Sequence, residues 1–107
     1  MNLGCWGDTN DRAIPILEGT SDILDGNYKK RENKIEKCAH AAKAAGYTVF
    51  AIQNGGWCAS GPSAADDYKK YGTSDACAAD GTGGFFANNV FKIQIMGKRN
   101  LQFLACL

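Results

Sequence analysis

The sequence predicts an α+β fold: a single small domain in which one main helix packs on an antiparallel sheet and long, disulfide-stapled loops carry the functional groups. Three observations predict it. One segment places apolar residues at helical spacing, and four short segments read as strands. The stretches between them are rich in glycine, asparagine and aspartate. Five cysteines spread over 107 residues supply cross-links to a chain whose core is small.

Residues 2–7 form the first strand, with Leu3 and Cys5 on one face and Trp6 on the other. Residues 8–27 are turn-rich and read as an ordered loop, anchored to the core by Ile14, Ile16, Leu17, Ile23 and Leu24. Residues 29–45 are the main helix. Ile35, Cys38, Ala39, Ala42 and Ala45 recur at helical spacing, and Gly46 supplies the stop. Its alanine stripe allows close approach to a sheet, and residues 47–53 form the strand packed beside it. Residues 55–84 read as loop, interrupted by a short helix that starts at Pro62 or Ser63, runs through Tyr71 and closes at Gly72. Residues 80–84 make a second flexible-backbone loop. Residues 90–96 alternate as a strand, 97–100 turn, and 101–107 return.

That return strand is apolar on both faces apart from Gln102, which invites pairing with another chain. It carries Cys106. The expectation is a homodimer through this hairpin, with Cys106 bridging the chains or lying close to the twofold axis. The alternative is a bond from Cys106 to Cys5 within one chain.

Twelve basic and eleven acidic residues nearly cancel, so the electrostatic footprint of a nucleic-acid binder is missing. No apolar segment has the length of a membrane span. The chain opens on Met1-Asn2-Leu3 with no leader-type segment, and a mature form is expected. No CxxC pair occurs and His40 is the only histidine, which argues against structural zinc. Wide cysteine spacing fits a disulfide framework in an oxidising compartment, hence a secreted protein. Four cysteines allow three pairings, and the sequence does not choose among them.

The densest chemistry lies at the end of the second strand, in Gln53-Asn54-Gly55-Gly56-Trp57-Cys58. Two amides can donate and accept hydrogen bonds, two glycines permit close approach, and an indole offers a flat apolar face. That chemistry suits a polyhydroxylated ligand. Nucleophilic catalysis finds no support. No GxSxG, P-loop or HExxH occurs, and His40 sits mid-helix between alanines. Asp8, Asp11, Glu18, Asp66, Asp67 and Asp80 could serve a two-carboxylate hydrolysis, but no spacing singles out a pair. Side-chain oxygens gathered in loops suit a hard cation such as calcium instead.

The pattern Gly4-Cys5-Trp6-Gly7-Asp8, Arg12, Pro15, Glu18-Gly19, Tyr28, Arg31, Cys38, then Phe50-Ala51-Ile52-Gln53-Asn54-Gly55-Gly56-Trp57-Cys58, Tyr71-Gly72, Cys77, Gly83-Gly84 and Asn88-Asn89-Val90 resembles a small extracellular module of marine invertebrates. It is also loosely similar to WSC-type domains, with their opening Gly-Cys-aromatic-x-Asp. Within that module it resembles the galactose-specific, calcium-dependent lectins of sea anemones. The resemblance covers residues 4–92 and is most specific over 50–58. It implies a secreted, non-catalytic lectin that binds terminal β-linked galactose, as in lactose, through Ca2+, and that is bivalent as a homodimer.

The residues themselves then suggest the roles. Gln53, Asn54, Asp80 and Asn88 are the expected calcium ligands, joined by a backbone carbonyl of Gly83 or Gly84. Gln53, Asn54, Trp57 and Phe86 are the expected sugar contacts, with Glu18 as a further hydroxyl acceptor. Asp8 and Arg12 are read as a structural pair holding the first loop. The competing functions are an extracellular protein-interaction or matrix module and, behind it, a small secreted glycan hydrolase.

Overall fold

The computed structural model describes residues 1–96 and 100–102. Strand β1 (Asn2–Gly7) is followed by helix α1 (Lys34–Ala44), strands β2 (Val49–Gln53) and β3 (Trp57–Ser60), helix α2 (Ala64–Asp67) and strands β4 (Ala87–Lys92), β5 (Gln94–Met96) and β6 (Asn100–Gln102). The first four strands make one antiparallel sheet in the order β1-β4-β2-β3. β5 and β6 pair separately as an antiparallel ribbon. The fold is α+β, as the sequence predicts.

Successive strand residues point to opposite faces, and both faces of this sheet are covered. On one face Phe50, Ile52 and Phe91 meet Cys38, Ala39 and Ala42 of α1. The Phe50 and Phe91 rings stack with centroids 5.2 Å apart. On the other face Val49, Ala51 and Val90 meet Ala13, Ile14 and Ala64, with Trp6, Tyr68 and Tyr71 at the margin. Double coverage is why β2 is buried at every position.

Several boundaries differ from the sequence reading. The helix begins at Lys34 and not at 29, because Asn33 adopts a left-handed φ of 52°. Just before it, Arg31 is drawn inward, donating to Glu18 and to the Asp25 carbonyl. Residues 57–60, read as loop, are strand β3. Asn54-Gly55-Gly56 closes a hairpin that sets Gln53 opposite Trp57. The second helix ends at Asp67 and not at Tyr71. The segment expected as one strand over 90–96 begins at Ala87 and breaks at Ile93. Ile14, Leu17 and Leu24 anchor the first loop as expected, but Ile16 and Ile23 are exposed.

That loop joins the open side of β3. Leu17 N–H donates to the Cys58 carbonyl, Ser60 N–H donates to the Pro15 carbonyl, and Ile16 bridges Ala59. Met1 and Lys92 exchange two hydrogen bonds, at 2.7 and 2.8 Å.

Cys38 bonds to Cys58, tying α1 to β3, and Cys5 bonds to Cys77, tying β1 to the loop before β4. The alternative Cys5–Cys106 pairing is thereby overturned. Cys106 itself lies outside the described residues, as do 97–99 of the turn expected at 97–100 and 103–107 of the expected return strand. Among the described residues no helix is long and apolar enough to cross a membrane.

Candidate functional site

The β2–β3 turn, the loop before β4 and the first loop converge at one end of the sheet. Asn54 N–H donates to the Gly84 carbonyl at 3.1 Å and Gly55 N–H to the Thr82 carbonyl at 3.0 Å. Asp8 N–H donates to the Phe86 carbonyl at 2.9 Å. Gly56 lets the Tyr28 segment approach: a Cβ there would sit 2.3 Å from the Tyr28 carbonyl oxygen, at a φ of +148° that side chains rarely adopt. The glycine was expected to admit a ligand, and it admits the protein's own backbone.

These segments enclose a cavity of about 250 Å³. Arg12, Tyr28, Gln53 and Asn54 supply its polar groups, and Trp57, Phe85 and Phe86 supply aromatic walls. A network lies beneath. Gln53 Nε2 donates to Asp8 Oδ2 and to Asn88 Oδ1, both at 2.9 Å. Arg12 Nη1 donates to Asp8 Oδ2 at 3.1 Å and lies 3.4 Å from Gln53 Oε1. Asp8 Oδ1 accepts the Ala13 N–H at 2.9 Å. The Asp8 side chain is only 1% exposed, so its charge needs the guanidinium and these donors. Arg12 in turn lies 4.5 Å from the Trp57 ring centre and 5.2 Å from that of Phe86, within cation–π range. At the rim, Asn54 Nδ2 donates to the Tyr28 hydroxyl at 3.1 Å.

Four expected sugar contacts, Gln53, Asn54, Trp57 and Phe86, therefore meet in one cavity. Glu18 does not join them. Its carboxylate takes two hydrogen bonds from Arg31, at 2.7 and 2.9 Å, and one from Cys58 N–H at 2.9 Å. That geometry makes it a clasp between the first loop and β3.

The expected calcium ligands divide between two places: Gln53 and Asn88 lie in the buried network, while Asn54, Asp80, Gly83 and Gly84 line one adjoining depression. Gln53 Oε1 faces a guanidinium, and Asn88 is 1% exposed beneath Gln53. Asp80 lines that depression and a second one, in both cases together with Lys34 and Thr82. Side-chain and backbone hydrogen bonds from Thr82, reinforced by the Lys34 charge, hold the Asp80 carboxyl below its ordinary value of 3.8. The amide nitrogen of Asn88 has no hydrogen-bond partner among the described residues, and a bare nitrogen donor does not ligate calcium. As a set, these four do not fit a single calcium site. Among the described residues no cluster of three or more His, Cys, Asp or Glu could hold a metal.

Three lining residues escaped the sequence reading. Arg12 is the structural partner of Asp8, as expected, but it also faces the cavity. Tyr28 arrives through the close approach at Gly56. Phe85 is 76% exposed and packs edge-on against Phe86 at 4.7 Å. The paired aromatics in a glycine-rich loop were the available signal for Phe85. Among the described residues that line this cavity there is no carboxylate.

Residues 2–84 match the WSC domain. No curated protein and no solved structure matches the chain. The match covers most of the sequence, and it agrees with the opening Gly4-Cys5-Trp6-Gly7-Asp8, whose aspartate anchors the network beneath the cavity. The chain belongs to the WSC domain family, an extracellular-type carbohydrate-binding and interaction module.

Proposed function

We propose that this module is a non-catalytic lectin whose binding site is the cavity between the β2–β3 turn and the loop before β4. The observation that carries this reading is the combination in one small cavity of aromatic walls with amide, phenol and guanidinium groups. Aromatic faces can stack on the apolar side of a sugar ring, while Asn54, Tyr28 and Arg12 can meet its hydroxyls. The Asp8–Gln53–Asn88 network sets the floor before any ligand arrives, which limits the ordering cost of binding.

Terminal β-linked galactose is the ligand proposed first, on the resemblance to sea-anemone lectins. Calcium dependence is proposed on that resemblance alone. Secretion is supported by the two disulfides. Bivalence through a homodimer is part of the proposal. The intrachain bonds engage Cys5, Cys38, Cys58 and Cys77, leaving Cys106 as the remaining cysteine of the sequence.

Calorimetric titration with lactose tests the site. Saturable binding that Trp57→Ala abolishes is expected; absence of binding to every galactoside on a glycan array would overturn it. Repeating the titration in EDTA decides the calcium proposal. Electrophoresis without reductant decides the Cys106 bridge, since a covalent dimer must run at twice the chain mass.

A further inference from the structure

We infer that the site prefers acidic glycans, bound from the Arg12 cavity across Asn54 into the adjoining depression that carries Lys29 and Lys34. This rests on the lectin reading above and names the class of sugar it selects. The adjoining depression, about 430 Å³, is lined by Lys29, Lys34, Asn54, Gly55, Asp80 and Thr82 among others. Asn54 lines both hollows, so a ligand longer than one ring can run from one into the other.

Arg12, Lys29 and Lys34 flank this path, against one carboxylate among the described lining residues, Asp80. Both lysine stems lie against the β2–β3 turn. A Cβ on Gly55 would be 3.7 Å from Lys29 Cγ, and one on Gly56 would be 2.9 Å from Lys34 Cδ. The stems lie along the two glycines, and both lysines line the adjoining depression. Lys29 has no ion-pair partner among the described residues. Lys34 faces Asp80, whose carboxyl is held mainly by Thr82.

Arg12 completes the row. Its Nη1 is committed to Asp8 and Gln53, while its Nε and Nη2 carry no hydrogen bond among the described residues. Those two nitrogens form one edge of the guanidinium fork, the geometry that accepts a carboxylate or sulfate through two parallel bonds. Asp8 does not compete for such an anion, because both its oxygens are engaged and its side chain is buried. The common chemistry is a sugar bearing an anionic oxygen group, either a uronic acid or a sulfate ester.

The test is calorimetric titration of the full chain with lactose, 6-sulfated lactose and trigalacturonic acid. At about 20 mM salt at least one acidic ligand should bind about tenfold more tightly than lactose, and about 0.5 M salt should remove most of that advantage. The double variant K29Q/K34Q, shown to be folded by circular dichroism, should lose most of the preference for the acidic ligand. Which acidic ligand wins tells carboxylate from sulfate. Equal affinity for lactose and both acidic ligands, or a preference insensitive to salt or to K29Q/K34Q, overturns the inference and leaves the lectin reading standing. Absence of binding to all three removes the lectin reading itself.

Discussion

Arg12 lies over Trp57, its guanidinium carbon 4.5 Å from the ring centre, while its Nη1 neutralises the buried Asp8 at 3.1 Å. One side chain thus serves stability and site shape together. Arg12→Gln leaves Asp8 buried without its cation, and the expected loss is about 2–3 kcal/mol in urea denaturation. The double variant D8N/R12Q removes the orphaned charge as well. It should recover most of that stability while still binding glycan poorly. If the double variant is as unstable as the single one, the charge pair is not what Arg12 supplies to the fold.

Phe85 separates binding from folding more cleanly. At 76% exposure it contributes little to the core, so Phe85→Ala should change stability by less than about 0.5 kcal/mol. As a wall of the cavity it should matter to the ligand, and a weakening of about three- to tenfold in calorimetry is expected. Unchanged affinity would remove Phe85 from the site.

Gly56 and Gly19 make a matched pair, since both have positive φ. A Cβ at Gly56 meets the Tyr28 carbonyl at 2.3 Å, whereas one at Gly19 meets nothing within 4 Å. Gly56→Ala should cost about 2–4 kcal/mol, from the backbone clash together with the strained φ. Gly19→Ala should cost only about 1 kcal/mol, from φ alone. Thermal melts of the two variants check the difference. Equal costs would mean that the Tyr28 segment yields freely, and then it would not hold the Tyr28 hydroxyl at the rim.

Acid should weaken the fold in a defined window. Asp11, Asp25 and Asp80 each have carboxyls held below the ordinary 3.8, chiefly by hydrogen bonds from Lys70, Lys37 and Thr82 respectively. A carboxyl depressed in the folded state lends its stability in full above the unfolded value and loses it as pH falls through the folded value. The melting temperature should therefore be insensitive to these groups above about pH 5, and fall progressively below about pH 4. All three are solvent-exposed, so the decline should be shallow and blunted by salt. Asp80→Asn should flatten it further, and a steeper acid limb in that variant would contradict the assignment.

Local pattern carried much of this in the sequence, and tertiary approach carried the rest. The α1 face was legible in Cys38, Ala39 and Ala42, because helical periodicity is a property of neighbouring residues. Gln53, Asn54 and Trp57 were legible as a group because one turn presents them. Strand β3 was not, since four residues after two glycines are too few to show alternation and its partner is chosen by the hairpin. The start of α1 was hidden in the left-handed backbone of Asn33, a conformation that composition does not announce. Arg12 and Tyr28 reach the cavity through loop docking, which depends on contacts 41 and 26 residues away in sequence. Glu18 carried the right chemistry for a sugar contact, but it sits nearer to a stronger partner, Arg31.

The mutual hydrogen bonds of Met1 and Lys92 have a mechanical meaning. They place the point where the chain enters the sheet beside the point where it leaves, at the shared end of β1 and β4. Tension applied between residue 1 and residue 92 would load the rungs of that ladder one after another, so β1 would peel from β4 and not shear. Peeling of β1 stops at Cys5, where the bond to Cys77 fastens it to the body of the domain. The cavity network below Asp8 lies beyond that fastening. The first strand therefore gives way by a few residues under pull and then holds at the Cys5–Cys77 bond.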